Sequence, residues 1–166
     1  MSTRTVALVV AAALASSAFA CTQGGVVGIP DAATQLSGQQ VQTVLQTGNS
    51  GLDQRSRTVL RSQAEWADAW TRAHALLIPA PAVPPLDFDA RIVVLAAMGQ
   101  RASGGYAIEI SGVHQDGDDL YVRVREVRPG PGCGMTMALT APVHAVSVPR
   151  VAGTVRFVET EVTRDC

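Results

Sequence analysis

Leu120-Tyr121-Val122-Arg123-Val124-Arg125-Glu126-Val127 is the stretch whose reading decides the fold. Leu120, Val122 and Val124 fall on one side of an extended chain, and Tyr121, Arg123 and Arg125 fall on the other. That period of two is a strand with one dry and one wet face. Just upstream, Gln115-Asp116-Gly117-Asp118-Asp119 joins it to a second strand, Tyr106 to His114. The Asp-Gly pair supplies the positive backbone angle that a tight hairpin needs.

Working outward from this hairpin, Val143 to Val148 and Thr154 to Val162 read as further strands, and Met135 to Thr140 as a short one. Ile92 to Met98 is apolar without alternation, as expected of a central strand. Gln39 to Thr47 and Arg55 to Leu60 flank the turn signal Gly48-Asn49-Ser50-Gly51 and add two more. Ser62 and Glu65 have the spacing of a capping box, so a helix should start there. In that helix Trp66, Ala69, Trp70, Ala73 and Leu77 form one stripe, which predicts core packing against a sheet. Pro79, Pro81, Pro84 and Pro85 end the helix and extend the connection. The expected fold class is α+β: a mostly antiparallel sheet of about seven strands with one amphipathic helix packed on it.

The N-terminus follows another pattern. Arg4 precedes an apolar and small-residue run from Thr5 to Ala15, and Ala18-Phe19-Ala20 has the A-x-A form of a signal-peptidase site. The sequence therefore predicts a signal peptide over 1–20, a Gly-, Gln- and Ser-rich flexible tether over 21–38, and one domain over 39–166. Cys21 opens a second processing route, lipidation of a Cys that directly follows the leader. Lipidation would leave Cys133 and Cys166 as a disulfide pair, whereas without it Cys21 could bond to either. The expected location is outside the cytoplasm, either as a membrane-anchored lipoprotein of the cell envelope or in secreted or periplasmic form.

With 13 basic against 14 acidic residues there is no basic field to hold a nucleic-acid backbone. All 13 basic residues are Arg. Catalytic patterns are thin. His74, His114 and His144 lie on separate elements without metal-motif spacing, and Cys133 is expected to be oxidised rather than nucleophilic. Asp116, Asp118 and Asp119 lack the downstream Glu of a calcium loop and read as an acidic turn. Neither a P-loop nor a dinucleotide or G-x-S-x-G motif occurs. The sequence predicts no enzyme, no cofactor, no metal site and no small-molecule substrate.

Gly99-Gln100-Arg101-Ala102-Ser103-Gly104-Gly105-Tyr106-Ala107-Ile108-Glu109-Ile110 resembles the glycine-rich signature of the PrcB C-terminal domain family. Ser50-Gly51, Glu65-Trp66 with Trp70, Asp87-Phe88, Arg128-Pro129-Gly130-Pro131-Gly132-Cys133 and Leu139-Thr140-Ala141-Pro142-Val143 agree in order. Ala102 stands where that family commonly has Pro, and Val143 where an aromatic residue is frequent. The resemblance implies an envelope interaction module that associates with or stabilises a protease complex without catalysis of its own. Its expected partners are a protein, in particular an envelope protease, and the membrane through a lipid on Cys21. The candidate binding residues are Ser103, Gly104, Gly105 and Tyr106 in one loop and Arg128, Pro129 and Gly130 in another. Both loops are turn-forming and stiff, which suits a contact surface of low entropic cost. A second resemblance is to chagasin-type cysteine-protease inhibitors, whose three loops would correspond in order to 103–106, 116–119 and 128–132. Gly130 stands where those inhibitors have an aromatic residue after Arg-Pro.

Overall fold

Arg91–Met98 and Val143–Pro149 are strands with almost no polar alternation, and such a strand needs apolar cover on both faces. Three stacked layers supply that cover. The computed structural model describes residues 28–166, so the leader and Cys21 lie outside the described residues. In chain order the elements are β1 (Thr34–Gln35), β2 (Gln42–Thr47), β3 (Arg55–Leu60), α1 (Gln63–Ala73), β4 (Arg91–Met98), β5 (Ala107–Asp116), β6 (Asp119–Pro129), β7 (Val143–Pro149) and β8 (Val155–Arg164).

One sheet has the order β1-β5-β6-β8 and the other β2-β7-β4-β3. Between them, Ile92, Val94, Ala96 and Met98 of β4 meet Ile108 and Ile110 of β5 and Leu120, Val122 and Val124 of β6. On the far side of β4, Val93, Leu95 and Ala97 pack under Trp66, Ala69 and Ala73 of α1. The two parities of one apolar strand thus serve two cores. The chain is mostly strand with one helix, as expected, but its eight strands form two sheets and not one. The apolar side chains of β4 and β7 project from both faces of their sheet, and the second sheet covers the face that the helix does not.

β8 departs from the antiparallel pairing that dominates both sheets. It pairs parallel to β6, with Leu120 beside Val155 and Pro129 beside Arg164. The chain leaves β6, descends through β7 in the other sheet, and re-enters the first sheet at the end where β6 began. The expected strand at 135–140 is a loop in which only Thr140 forms a bridge, to Arg101. The segment expected to be tether also shortens, because β1 lies within it and Leu36 packs against the inter-sheet core.

The helix begins where the capping box predicts. Ser62 Oγ accepts from the Glu65 N–H at 3.3 Å, and the Glu65 carboxylate accepts from the N–H groups of Ser62 and Arg61 at 3.1 and 2.6 Å. The Arg61 amide is the main reason the Glu65 carboxyl is held below its ordinary pKa. Trp66 is fully buried, while Trp70 is only partly so; both indoles donate to the proline connection, to Pro84 O at 3.1 Å and Pro81 O at 3.0 Å. Leu77, expected in the helical stripe, lies beyond the helix end and is 53% exposed.

Candidate functional site at the loop end

Strand direction sorts the connections into two ends. Ala107 pairs with Val127 at one end of the β5–β6 hairpin and Asp116 with Asp119 at the other, a separation of roughly 30 Å for strands of this length. At the far end Gly117 takes a φ of +57° in the tight turn, and Asp119 accepts from the Thr154 N–H at 2.7 Å and from Arg156 at 3.0 Å. The acidic turn is thereby tied to the start of β8. The other end carries the connections 48–54, 74–79, 99–106 and 130–142, and is called here the loop end.

Two of the expected binding loops meet there. Gly105 has a φ of +86°, and a Cβ at this position would sit 3.1 Å from the Pro129 Cβ. A side chain there would be strained in its own backbone and crowded by the second loop. Gly104 N–H donates to Thr136 O at 3.0 Å, and Thr140 Oγ1 donates to Ser103 O at 2.8 Å. Arg101 exchanges backbone bonds with Thr140, at 2.7 and 3.0 Å, and its guanidinium lies over the Tyr106 ring, 5.7 Å from the centroid. Gly130 N–H reaches Arg164 O at 2.9 Å, and next to it Cys133 and Cys166 are joined with their Cα atoms 5.2 Å apart. Arg128 behaves differently from its neighbours: it turns to Glu161 on β8, at 2.6 Å, and not toward the Ser103–Tyr106 loop.

The third loop of the inhibitor resemblance, 116–119, is at the opposite end of the hairpin from the other two. Loops 103–106 and 128–132 share the loop end, and 116–119 does not.

What the loop end exposes was not picked out as a site from the sequence. Ile78 is 98% and Met137 97% exposed, and Leu76, Leu77, Met135 and Leu139 are also in solvent. Leu76 shares the wall of one surface cleft with Gln100 and Ala141, which places the segment after the helix beside the 130–142 loop. Contiguous exposed apolar side chains on a small domain mark contact surfaces. One sequence signal was there: Leu76-Leu77-Ile78 is an apolar run past a helix end.

Hydrolytic chemistry lacks its parts. His144, buried in the inter-sheet space, accepts the Ile110 N–H on Nδ1 at 2.8 Å, so its proton is on Nε2, which donates to Thr43 Oγ1 at 3.0 Å. An imidazole held in that tautomer cannot take a proton from Thr43. Burial lowers its pKa, with Glu109 opposing. His114 is likewise lowered, by burial and then by Arg123, and His74 Nδ1 lies 2.9 Å from Trp70 O. Cys133 is bonded and is no nucleophile. Among the described residues no cluster of three metal-ligating side chains forms, and no helix is long and apolar enough to cross a membrane.

A comparison with family models matches residues 92–149, described as PrcB C-terminal. This segment is similar to the PrcB C-terminal family. The matched segment runs from β4 to the end of β7 and so includes both central strands of one sheet, the hairpin of the other, and the two interlocked loops. No curated protein and no solved structure matches the chain.

Proposed function

We propose that this chain is an exported interaction module of the cell envelope that associates with a protease complex through its loop end and carries out no catalytic step itself. The family match supports a protease-complex association. The observation that carries the choice of surface is the group of six exposed apolar side chains around the interlocked loops, at 76–78 and at Met135, Met137 and Leu139. Met and Leu on a loop held in place by a disulfide give an adaptable contact on a stiff support.

Orientation supports the same reading. The chain enters the fold through β1, whose Thr34 pairs with Gln115 beside the hairpin turn. A lipid on Cys21 would hold the hairpin end near the bilayer and present the loop end outward. The test is co-purification from solubilised membranes followed by mass spectrometry. Met137→Asp and Ile78→Asp should each abolish recovery of a protease subunit while leaving the melting temperature unchanged, and Cys21→Ser should move the protein to the soluble fraction. Recovery of the same subunit with both Asp variants would remove the loop end from the interface.

A further inference from the structure

A groove lies on the free edge of β5 beside the loop end. Its volume is about 360 Å³, and its walls are Gln46 and Thr47 of β2, Tyr106 just before β5, Ile108 of β5, and Pro142 and Val143 at the start of β7. Two features make it more than a crevice.

The first is a bare strand edge. β1 covers β5 only at His114 and Gln115, with one more bond from Leu36 N–H to Val113 O at 2.8 Å. The chain then crosses to β2 in the other sheet, and above that crossing β5 runs on alone to Ala107. Ile110 N–H points away from β6, because it donates to His144 Nδ1. The alternation of a strand turns the N–H and C=O of Ile108 the same way, into the groove. Among the described residues nothing bonds them there.

The second feature is the chemistry of the walls. Ile108, Val143 and Pro142 are apolar, Gln46 and Thr47 are neutral and polar, and Tyr106 supplies an aromatic face. With no charged side chain in the lining, an ionised residue placed here would lose its water without gaining a counter-ion.

We infer that this groove receives an extended segment of a partner protein, added to the edge of β5 in line with β1. The segment is uncharged over its paired residues and sets an apolar side chain against the partly exposed Tyr106 ring. The argument for this occupant is continuity. β1 is already an antiparallel addition to the lower half of the same edge; the register of β5 shifts between Ile110 and Gly112, and above that shift Ile108 turns its N–H and C=O outward for a second strand. Strand addition takes affinity from main-chain bonds and specificity from side-chain pockets; here the Ile108 N–H and C=O supply the first and the uncharged groove the second. The inference rests on the proposed interaction role only for who the partner is; the groove can be tested without it.

The test uses the intact purified chain and a display library of random octapeptides. Uncharged, alternating peptides should be enriched. They should bind Gln46→Arg and Thr47→Arg about tenfold more weakly than the parent chain, and lose binding when alternate peptide nitrogens are methylated. Bound peptide should slow hydrogen exchange at the Ile108 amide, and unchanged melting of the two variants would show that the fold is intact. The inference is overturned if no peptide is enriched over the Gln46→Arg chain, if enriched peptides leave Ile108 exchange unchanged, or if the edge is found occupied by a second copy in sedimentation. A protease subunit that still co-purifies with Gln46→Arg but not with Met137→Asp would leave the loop-end reading standing and the groove without a part in it.

Discussion

The two ends of β6 face the same interior and are built from opposite chemistry. Near the hairpin turn the inward side chains are Leu120 and Val122, both with no exposure, inside the apolar inter-sheet core. Four residues beyond Val122 in the same inward row is Glu126, whose side chain is only 6% exposed. It is paired with Arg57 and, at 3.1 Å, with Arg55, both from β3 of the opposite sheet. Glu159 of β8 completes the group, with Arg57 at 2.8 Å and with Arg55. Arg57 also donates to Ala97 O at 2.9 Å. One edge of the sandwich is closed by the chain crossing from β1 to β2, and the other is bridged near the loop end by four charges. Apolar packing tolerates small shifts between sheets, whereas paired charges demand a fixed geometry. The end that carries the exposed surface is thus the end whose sheets are pinned.

Substitutions at both ends of β6 test this contrast most strongly. Glu126→Ala leaves Arg57, 11% exposed at its side chain, without its buried partner and should cost about 3–5 kcal/mol in urea unfolding. Leu120→Ala should cost about 2–5 kcal/mol through a cavity instead. Added salt should change neither by much, since Leu120 is apolar and the Glu126–Arg57 pair is buried; a strong salt dependence at Glu126 would mean that the pair is screened through the exposed Arg55 and Glu159 and the contrast is wrong.

Reduction of the Cys133–Cys166 bridge comes next. Its sequence separation of 33 corresponds to up to about 4 kcal/mol on the chain-entropy account. The two ends should respond unequally: amides of Ser103 to Tyr106 should exchange faster on reduction, while those beside Gly117 keep their protection. Equal acceleration at both ends would show one cooperative unit with no local clamp.

Acid should act through His144. Its folded-state pKa is lowered, so the unfolded chain binds the proton more readily; stability is fully present above the ordinary value of about 6.5 and declines as pH falls below it. The slope attributable to this residue is at most about 1.4 kcal/mol per pH unit. His114 contributes with the same sign, so the difference between the parent and His144→Gln isolates the effect. A slope identical in both chains would remove His144 from the acid response.

The smallest effect belongs to the helix start, away from both ends. Ser62→Ala should cost about 1 kcal/mol by orphaning the Glu65 amide, measured by thermal melting. It should do so without altering exchange at either end of β6.

How much of this was legible in the sequence depended on whether a signal was local. The hairpin, the capping box and the bounds of β3 and β4 follow from neighbouring residues, and each is found within a residue or two of where the pattern puts it. The parallel placement of β8 depends on β7 joining the other sheet, which no window of residues records. Glu126 continues the inward row of Leu120, Val122 and Val124, but its partners Arg55 and Arg57 are about seventy positions away. A lone acid at an inward position therefore looks like a strand end. The interlocking of Gly105 with Pro129 was anticipated only as two separate stiff loops. The exposure of Met137 was hidden because its alternation is that of a strand, and only the fold shows that no neighbouring strand comes to pair with it.

The placement of the indoles has an optical consequence. Both tryptophans of the chain sit on the one helix, 5.2 Å apart between ring centroids, with their N–H groups against the proline connection. Intrinsic emission therefore reports on a single layer: undocking of that helix would be bright in the spectrum, while opening of the distant sheet would pass almost dark.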